Sequence, residues 1–197
     1  MNDLTGGKII GTYLSRKPHP QSGWVAAYGL TALMAVYLVF HQDYLALARW
    51  LSATPAQVFA GHEYWRAFTT SLVHADLEHF LANSFFFAGL SYLLYGYFGL
   101  WVFPVLSFAA GGVINLLTLA THQPTVTLVG ASGVVYFMAA FWLALYVGIE
   151  RGLSIPRRLI NSMALSLVLF APETFQPRVS YRAHAIGYLV GWVCGLL

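Results

Sequence analysis

The sequence predicts an all-α polytopic membrane protein, a bundle of six transmembrane helices, and three observations carry that prediction. The chain has 197 residues, 58% of them hydrophobic and only 9% charged, whereas soluble domains are about 25% charged. Six separate apolar runs each approach the length needed to cross a hydrocarbon core about 30 Å thick, at about 1.5 Å per helical residue. Lys8, Arg16 and Lys17 precede the first run and Arg151, Arg157 and Arg158 separate the fourth from the fifth, as the ends of membrane spans on one side would require. Mean hydropathy is +0.65, and the length suits a single domain. Residues 1–22 are expected to form a cytoplasmic N-terminal tail and 23–197 the six-helix core.

The runs cover 23–40, 79–98, 100–120, 132–149, 158–172 and 181–197. The fifth is the shortest and is expected to tilt or move. Lys8, Arg16 and Lys17 precede the first run, as in a signal peptide, but that run exceeds an h-region of about 7–15 residues. The Ala46-Leu47-Ala48 triplet lies well beyond its end at Phe40, so the first helix is expected to be retained. Arg151, Arg157 and Arg158 separate the fourth and fifth runs. With six spans these two basic regions share a side, which the positive-inside rule makes cytoplasmic. Both termini are then cytoplasmic, and a prokaryotic inner membrane is the expected location.

The long first loop, 41–78, would face outward, carrying Asp43, Glu63, Asp76 and Glu78 against Arg49 and Arg66. Its aromatic stretches, Tyr44 to Leu51 and Val58 to Phe68, are too polar to span and too apolar for a plain linker. Short amphipathic helices at the interface are expected there. The net charge of +3 and pI of 9.1 come from ten basic residues spread over several loops. They form no patch, so nucleic acid is excluded as a partner. The one cysteine, Cys194, lies in the last run and has no intrachain partner. Neither an internal repeat nor a low-complexity tract is present.

Candidate chemistry centres on two segments. Gly130-Ala131-Ser132-Gly133 opens the fourth run, placing Ser132 where unpaired helix amides can hold an oxyanion. By itself this tetrapeptide reads equally as an N-cap or a small-residue packing site. Ala183-His184 opens the sixth run, and Gly187, Gly191 and Gly195 fall on the same narrow face as His184. Such a face permits close helix approach. An ionisable residue on it, inside a span, is a functional candidate rather than a packing one. The alternative is a histidine merely bonded to a backbone carbonyl. Tyr136 lies one turn from Ser132 on the same face, placed either to orient the imidazole or simply to fill the core.

His74, His79 and Asn83 form a third cluster at the start of the second run. Zinc is disfavoured, because two histidines five apart diverge by about 140° around a helix, unlike the i, i+4 pair of a helical zinc site. His79 and Asn83 are one turn apart and share a face, which suits a pair of oxyanion donors. No metal and no cofactor is expected.

In order and spacing these segments resemble the rhomboid intramembrane serine proteases. The resemblance is carried by Trp65-Arg66, then His74, His79 and Asn83, then Gly130-Ala131-Ser132-Gly133 with Tyr136, then Ala183-His184 with Gly187 and Gly191. It runs from about residue 60 to the C-terminus. It implies a six-helix rhomboid-like bundle with Ser132 as nucleophile and His184 as general base. It further implies an oxyanion hole of His79, Asn83 and the Ser132 amide. Gly130 would give the serine loop room, Tyr136 would support His184, and His74 would be structural. The fifth helix and the loop from Ala171 to Ser180 would form gate and cap. The implied partners are transmembrane protein substrates in a lipid bilayer.

Two positions depart from the family's pattern. Tyr95 stands four residues before Gly99, where the family often carries glutamate. Arg182 stands beside the Ala183-His184 pair, either acting on the base electrostatically or snorkelling to the interface. A rhombosortase sub-type is not matched, since Val134-Val135-Tyr136 lacks the expected histidine. Loss of Ser132 or His184 would have favoured a non-enzymatic relative that binds transmembrane clients, and both are present. A small transporter is disfavoured by the lack of an inverted repeat and of intramembrane carboxylates.

Overall fold

The computed structural model describes residues 11–42, 48–170 and 180–197. Lys8, the stretch Asp43 to Leu47, the Arg49 side chain and the expected cap from Ala171 to Val179 therefore lie outside the described residues. Six long helices organise the chain: α1 (Ser22–His41), α2 (Leu77–Phe98), α3 (Ser107–Leu119), α4 (Ser132–Ile149), α5 (Ile155–Phe170) and α6 (Tyr181–Leu196). No sheet occurs among the described residues, only an isolated bridge between Ala53 and Leu128. The fold is an all-helical bundle of an integral membrane protein. α1, α4 and the stretch Trp101–Leu119 are long and apolar enough to cross a membrane. α5 and α6 have 16 residues each, while α2 is long enough but diluted by His79, Asn83 and three tyrosines.

Helix ends follow local chemistry. α1 starts just after Pro18 and Pro20, where the chain cannot yet be helical. Asp76, in an extended conformation, caps α2 by accepting from the His79 amide at 2.8 Å. Gly99 ends the same helix at φ 76°, a conformation that costs glycine little. Ser180 caps α6 through the Ala183 amide at 3.4 Å. The third apolar run is not one straight helix. Phe103 leaves helical geometry just before Pro104, so the turn Trp101–Leu106 is set off from α3. Proline supplies no N–H to carry the ladder through.

α4 is the central post. Its residues from Ser132 to Phe141 are all buried, as expected for a helix apolar on every face. α6 lies directly on it. A Cβ at Gly187 would strike the Gly133 carbonyl oxygen, and one at Gly191 the Phe137 carbonyl oxygen and Ala140 Cβ. At Gly195 it would come within 2.6 Å of Ala144 Cβ. The glycine face of α6 therefore touches α4 backbone to backbone, the contact small residues permit in membranes. The remaining core joins Leu33 of α1, Phe80, Phe87 and Leu94 of α2, and Ile114 of α3 to Val134, Phe137 and Met138.

The first loop forms short helical turns at Ala48–Leu51, Ala56–Ala60, Arg66–Thr69 and Thr70–Leu72. Trp50, Phe59, Tyr64, Trp65 and Phe68 are part-exposed along it, a composition suited to a membrane interface. Arg66 is buried against Trp65 and Trp50, with ring centres 4.7 and 5.7 Å from its guanidinium. It pairs with Glu63 and donates to the Ser52 carbonyl at 3.0 Å. At the opposite end of the bundle, Thr12 Oγ1 donates to Glu150 at 2.8 Å, and Tyr13 stacks on Phe98. The described residues before α1 thus lie against α2 and the α4–α5 turn. There Tyr95 reaches Gln21 Oε1 at 3.4 Å and meets the His19 ring edge-on at 5.6 Å. A tyrosine thus supplies a polar tie at the position where the resemblance leads one to expect glutamate.

Candidate active site

The serine segment is fixed from two sides before α4 begins. The Gly130 amide donates to the Thr70 carbonyl at 3.1 Å, and the Thr70 hydroxyl donates to the Leu128 carbonyl. Leu128 also exchanges backbone hydrogen bonds with Ala53. Gly130 has φ 122°, a left-handed value that L side chains avoid. A Cβ there would also lie 2.6 Å from His79 Cε1 and 2.9 Å from Nε2. The glycine is required twice over, by backbone conformation and by the imidazole packed on it.

Ser132 follows as the first residue of α4 and is 6% exposed; His184, in the first turn of α6, is 2% exposed. The two helices begin side by side. A Cβ on Gly133, next to Ser132, would sit 3.7 Å from the Ala183 carbonyl oxygen and 3.8 Å from Ala183 Cβ. Ala183 immediately precedes His184. Tyr136 stacks on the His184 imidazole with centres 4.1 Å apart and planes 12° from parallel. Its hydroxyl donates to the Leu169 carbonyl of α5 at 3.1 Å. Tyr181 faces His184 edge-on from 6.4 Å. Two aromatic rings thus pack against the imidazole, Tyr136 face to face and Tyr181 edge-on.

From α2, His79 covers Gly130, and buried Asn83 donates one amide hydrogen to the His79 carbonyl at 3.0 Å. An amide has a second N–H to offer. His74 is fully buried before α2, its ring 5.3 Å from His79 and 5.4 Å from Phe80, edge-on to both. Burial, reinforced by His79, pushes its imidazole down to about 4 despite the Leu72 carbonyl and Asp76. His74 is therefore neutral near pH 7, its ring edge-on to both neighbours. Arg182 leaves the site and donates to the Thr121 carbonyl beyond α3. There burial and then Arg182 lower the pKa of His122. Among the described residues, no three His, Cys, Asp or Glu side chains converge as a metal site.

His79, Gly130, Ser132, Tyr136 and His184 therefore fall into one region of the fold, around the facing starts of α4 and α6 and the start of α2, while Tyr95 lies at the opposite end and Arg182 turns away. Comparison with known proteins extends the point. A Rhomboid domain family model matches residues 61–197. The chain belongs to the rhomboid family. It is 34% identical over 124 residues to a rhomboid protein of Acanthamoeba polyphaga mimivirus, covering 61% of this chain and 67% of that one. It is 28% identical over 189 residues to the rhomboid protease GlpG of Photorhabdus laumondii, covering 93% of this chain. The chain spans 63% of that protease's length.

Three contributors to this rhomboid site went unnoticed in the sequence. Asp76 sets the start of α2 and so the height of His79; an acidic residue three before His79 is an N-cap signal that could have revealed it. Thr70 and the Leu169 carbonyl carry no such signal. They act on Gly130 and Tyr136 from distant chain positions, which only the fold makes neighbours.

Proposed function

We propose that this rhomboid is an intramembrane serine endopeptidase working through Ser132 and His184. One observation carries the reading: the buried serine and histidine lie at the facing starts of two helices in backbone contact, one residue either side of the Gly133–Ala183 approach. The Photorhabdus relative is a rhomboid protease, which supports it.

In this reading His184 removes the Ser132 hydroxyl proton as Oγ attacks a peptide carbonyl. The resulting oxyanion takes hydrogen bonds from the Ser132 amide, the second N–H of Asn83 and His79. Collapse breaks the C–N bond, and His184 passes its proton to the departing amine. An acyl-enzyme on Ser132 remains. Water then gives a proton to His184 and attacks the ester, and the proton returns to Ser132 as the acid leaves. Tyr136 holds the imidazole in place where a triad would use aspartate. The substrates are membrane proteins with transmembrane segments. A helix in lipid hides its carbonyls in its own hydrogen bonds, so segments weakened by Gly, Pro or small polar residues are preferred.

Residues 1–22 would be the cytoplasmic tail and 23–197 the protease core, six spans in a prokaryotic inner membrane with both termini cytoplasmic. The contact of Thr12 with Glu150 supports a shared end for the N-terminal segment and the basic α4–α5 turn. Cleavage of a transmembrane substrate reconstituted in bilayers tests the assignment. Ser132→Ala and His184→Ala should abolish it, while chelators leave it intact. Cleavage that a chelator stops and zinc restores would assign a metalloprotease instead.

A further inference from the structure

Arg182 stands two residues before His184, in the first turn of α6, and is exposed. It turns away from the imidazole, and by doing so it reaches the chain that leads into the serine. Its guanidinium donates to the Thr121 carbonyl, at the start of the loop between α3 and α4. That loop is itself pinned by the first loop. The Ala56 amide donates to the Pro124 carbonyl at 3.1 Å, and Ala53 and Leu128 exchange backbone hydrogen bonds. Arg182 therefore spans two fixed segments, one running to Ser132 and the other to His184.

The charge placed there is uncompensated. A guanidinium has five N–H donors in a planar fork, and the Thr121 carbonyl occupies one of its nitrogens. No carboxylate among the described residues pairs with it. His122, the next residue of the loop, lies close enough to feel the same guanidinium. Its Nε2 is buried without a hydrogen-bond partner, a rare state for a buried polar atom. Across the site the sign reverses. Asp76 and Glu78 stand at the start of α2, beside His79, which covers Gly130. An anionic group entering the site is thus repelled from the α2 side and drawn to the α6 side.

We propose that Arg182 and His122 form a carboxylate subsite that selects transmembrane substrates carrying Asp or Glu two to four residues from the cut, on the flank outside the bilayer. The spacing follows from reach. An extended substrate advances about 3.3 Å per residue and a helix about 1.5 Å. Two positions of α6 and the length of an arginine side chain then correspond to a few substrate residues. The flank follows from place, since Thr121 lies just past the end of α3 at Leu119, on the side where α4 and α6 begin. The inference deepens the protease reading given above and rests on it, except in the binding arm of the test below.

The test uses the full chain in bilayers and a model transmembrane substrate whose cut is mapped by mass spectrometry. Glu, Gln and Lys are placed in turn at the second, third and fourth residues from the cut on the outer flank. An exposed ion pair is worth roughly fivefold at most. At one of these positions kcat/KM should favour Glu over Gln by about that factor, with Lys cut slowest. Arg182→Gln should erase the preference, and Arg182→Glu should invert it so that Lys is cut fastest. A merely structural tie to Thr121 would slow all three substrates alike and leave their ratios untouched. Competition binding to Ser132→Ala protein, with the charged residue walked along the same flank, repeats the comparison without chemistry. Binding ratios that invert in Arg182→Glu, with no Ser132-dependent cleavage of any substrate, sustain the subsite and remove the protease reading. Equal handling of Glu and Gln by the wild type at every position, or ratios unchanged in Arg182→Glu, overturn the proposal. Should Arg182→Glu fail to fold, the preference kept or lost in Arg182→Gln decides.

Discussion

At the scale of single residues, the site separates groups that meet the reacting atoms from groups that hold them. His79 and Asn83 belong to the first kind in the proposed mechanism. Replacing either by alanine should slow turnover about 10²–10³-fold, the usual consequence of losing one oxyanion donor, with residual cleavage still measurable in single-turnover assays. Wild-type rates in both would leave the oxyanion to backbone amides alone. His74 belongs to the second kind and makes a thermodynamic prediction. Its imidazole is held near 4 against an ordinary 6.5, so the unfolded chain binds a proton more readily than the folded one. Stability is then intact above about 6.5 and falls as pH drops from there toward 4. Thermal melts across that window should show a loss that His74→Phe lessens. The sequence showed His74, His79, Ser132 and His184 because each sits in a recognisable local pattern. It could not show that Arg182 turns away to Thr121, since that acceptor lies 61 residues distant.

At the scale of elements, the decisive contact is the glycine face of α6 on α4. Gly187→Ala would press a methyl into the Gly133 carbonyl, and crowding of a tight interface typically costs about 1–3 kcal/mol. Gly148→Ala on α4 meets nothing within 4 Å and should be neutral or slightly stabilising through helix propensity. Denaturation of both variants in mild detergent checks the contrast; equal behaviour would mean the face is not a close contact. Helix positions were legible because hydropathy marks each apolar run locally, whereas the N-cap at Asp76, which starts α2 at Leu77, was passed over. The break at Phe103–Pro104 was visible as a proline inside an apolar run and was passed over. The polar contacts of α5 were not legible, because Asn161 and Ser166 read as neutral filler until Tyr146 and Tyr188 are placed opposite them.

At the scale of the whole molecule, the bundle carries the candidate site at one end and its N-terminal contacts at the other. Tyr13, Thr12 and Tyr95 hold the segment before α1 against α2 and the α4–α5 turn. With six spans, reporter fusions after residue 20 and after Leu197 should both report a cytoplasmic location, and a fusion in the loop near residue 61 an external one. Opposite locations for the two termini would mean that one of α2, α5 or α6 does not span. The central claim, however, is that Ser132 is an activated nucleophile with His184 as its base. Labelling with a serine-directed fluorophosphonate, followed by mapping of the modified peptide, tests it most directly. Wild-type protein should carry the phosphonyl group on Ser132, Ser132→Ala should carry none, and His184→Ala should label far more slowly. Labelling that survives Ser132→Ala, or that maps to any other residue, would contradict the account.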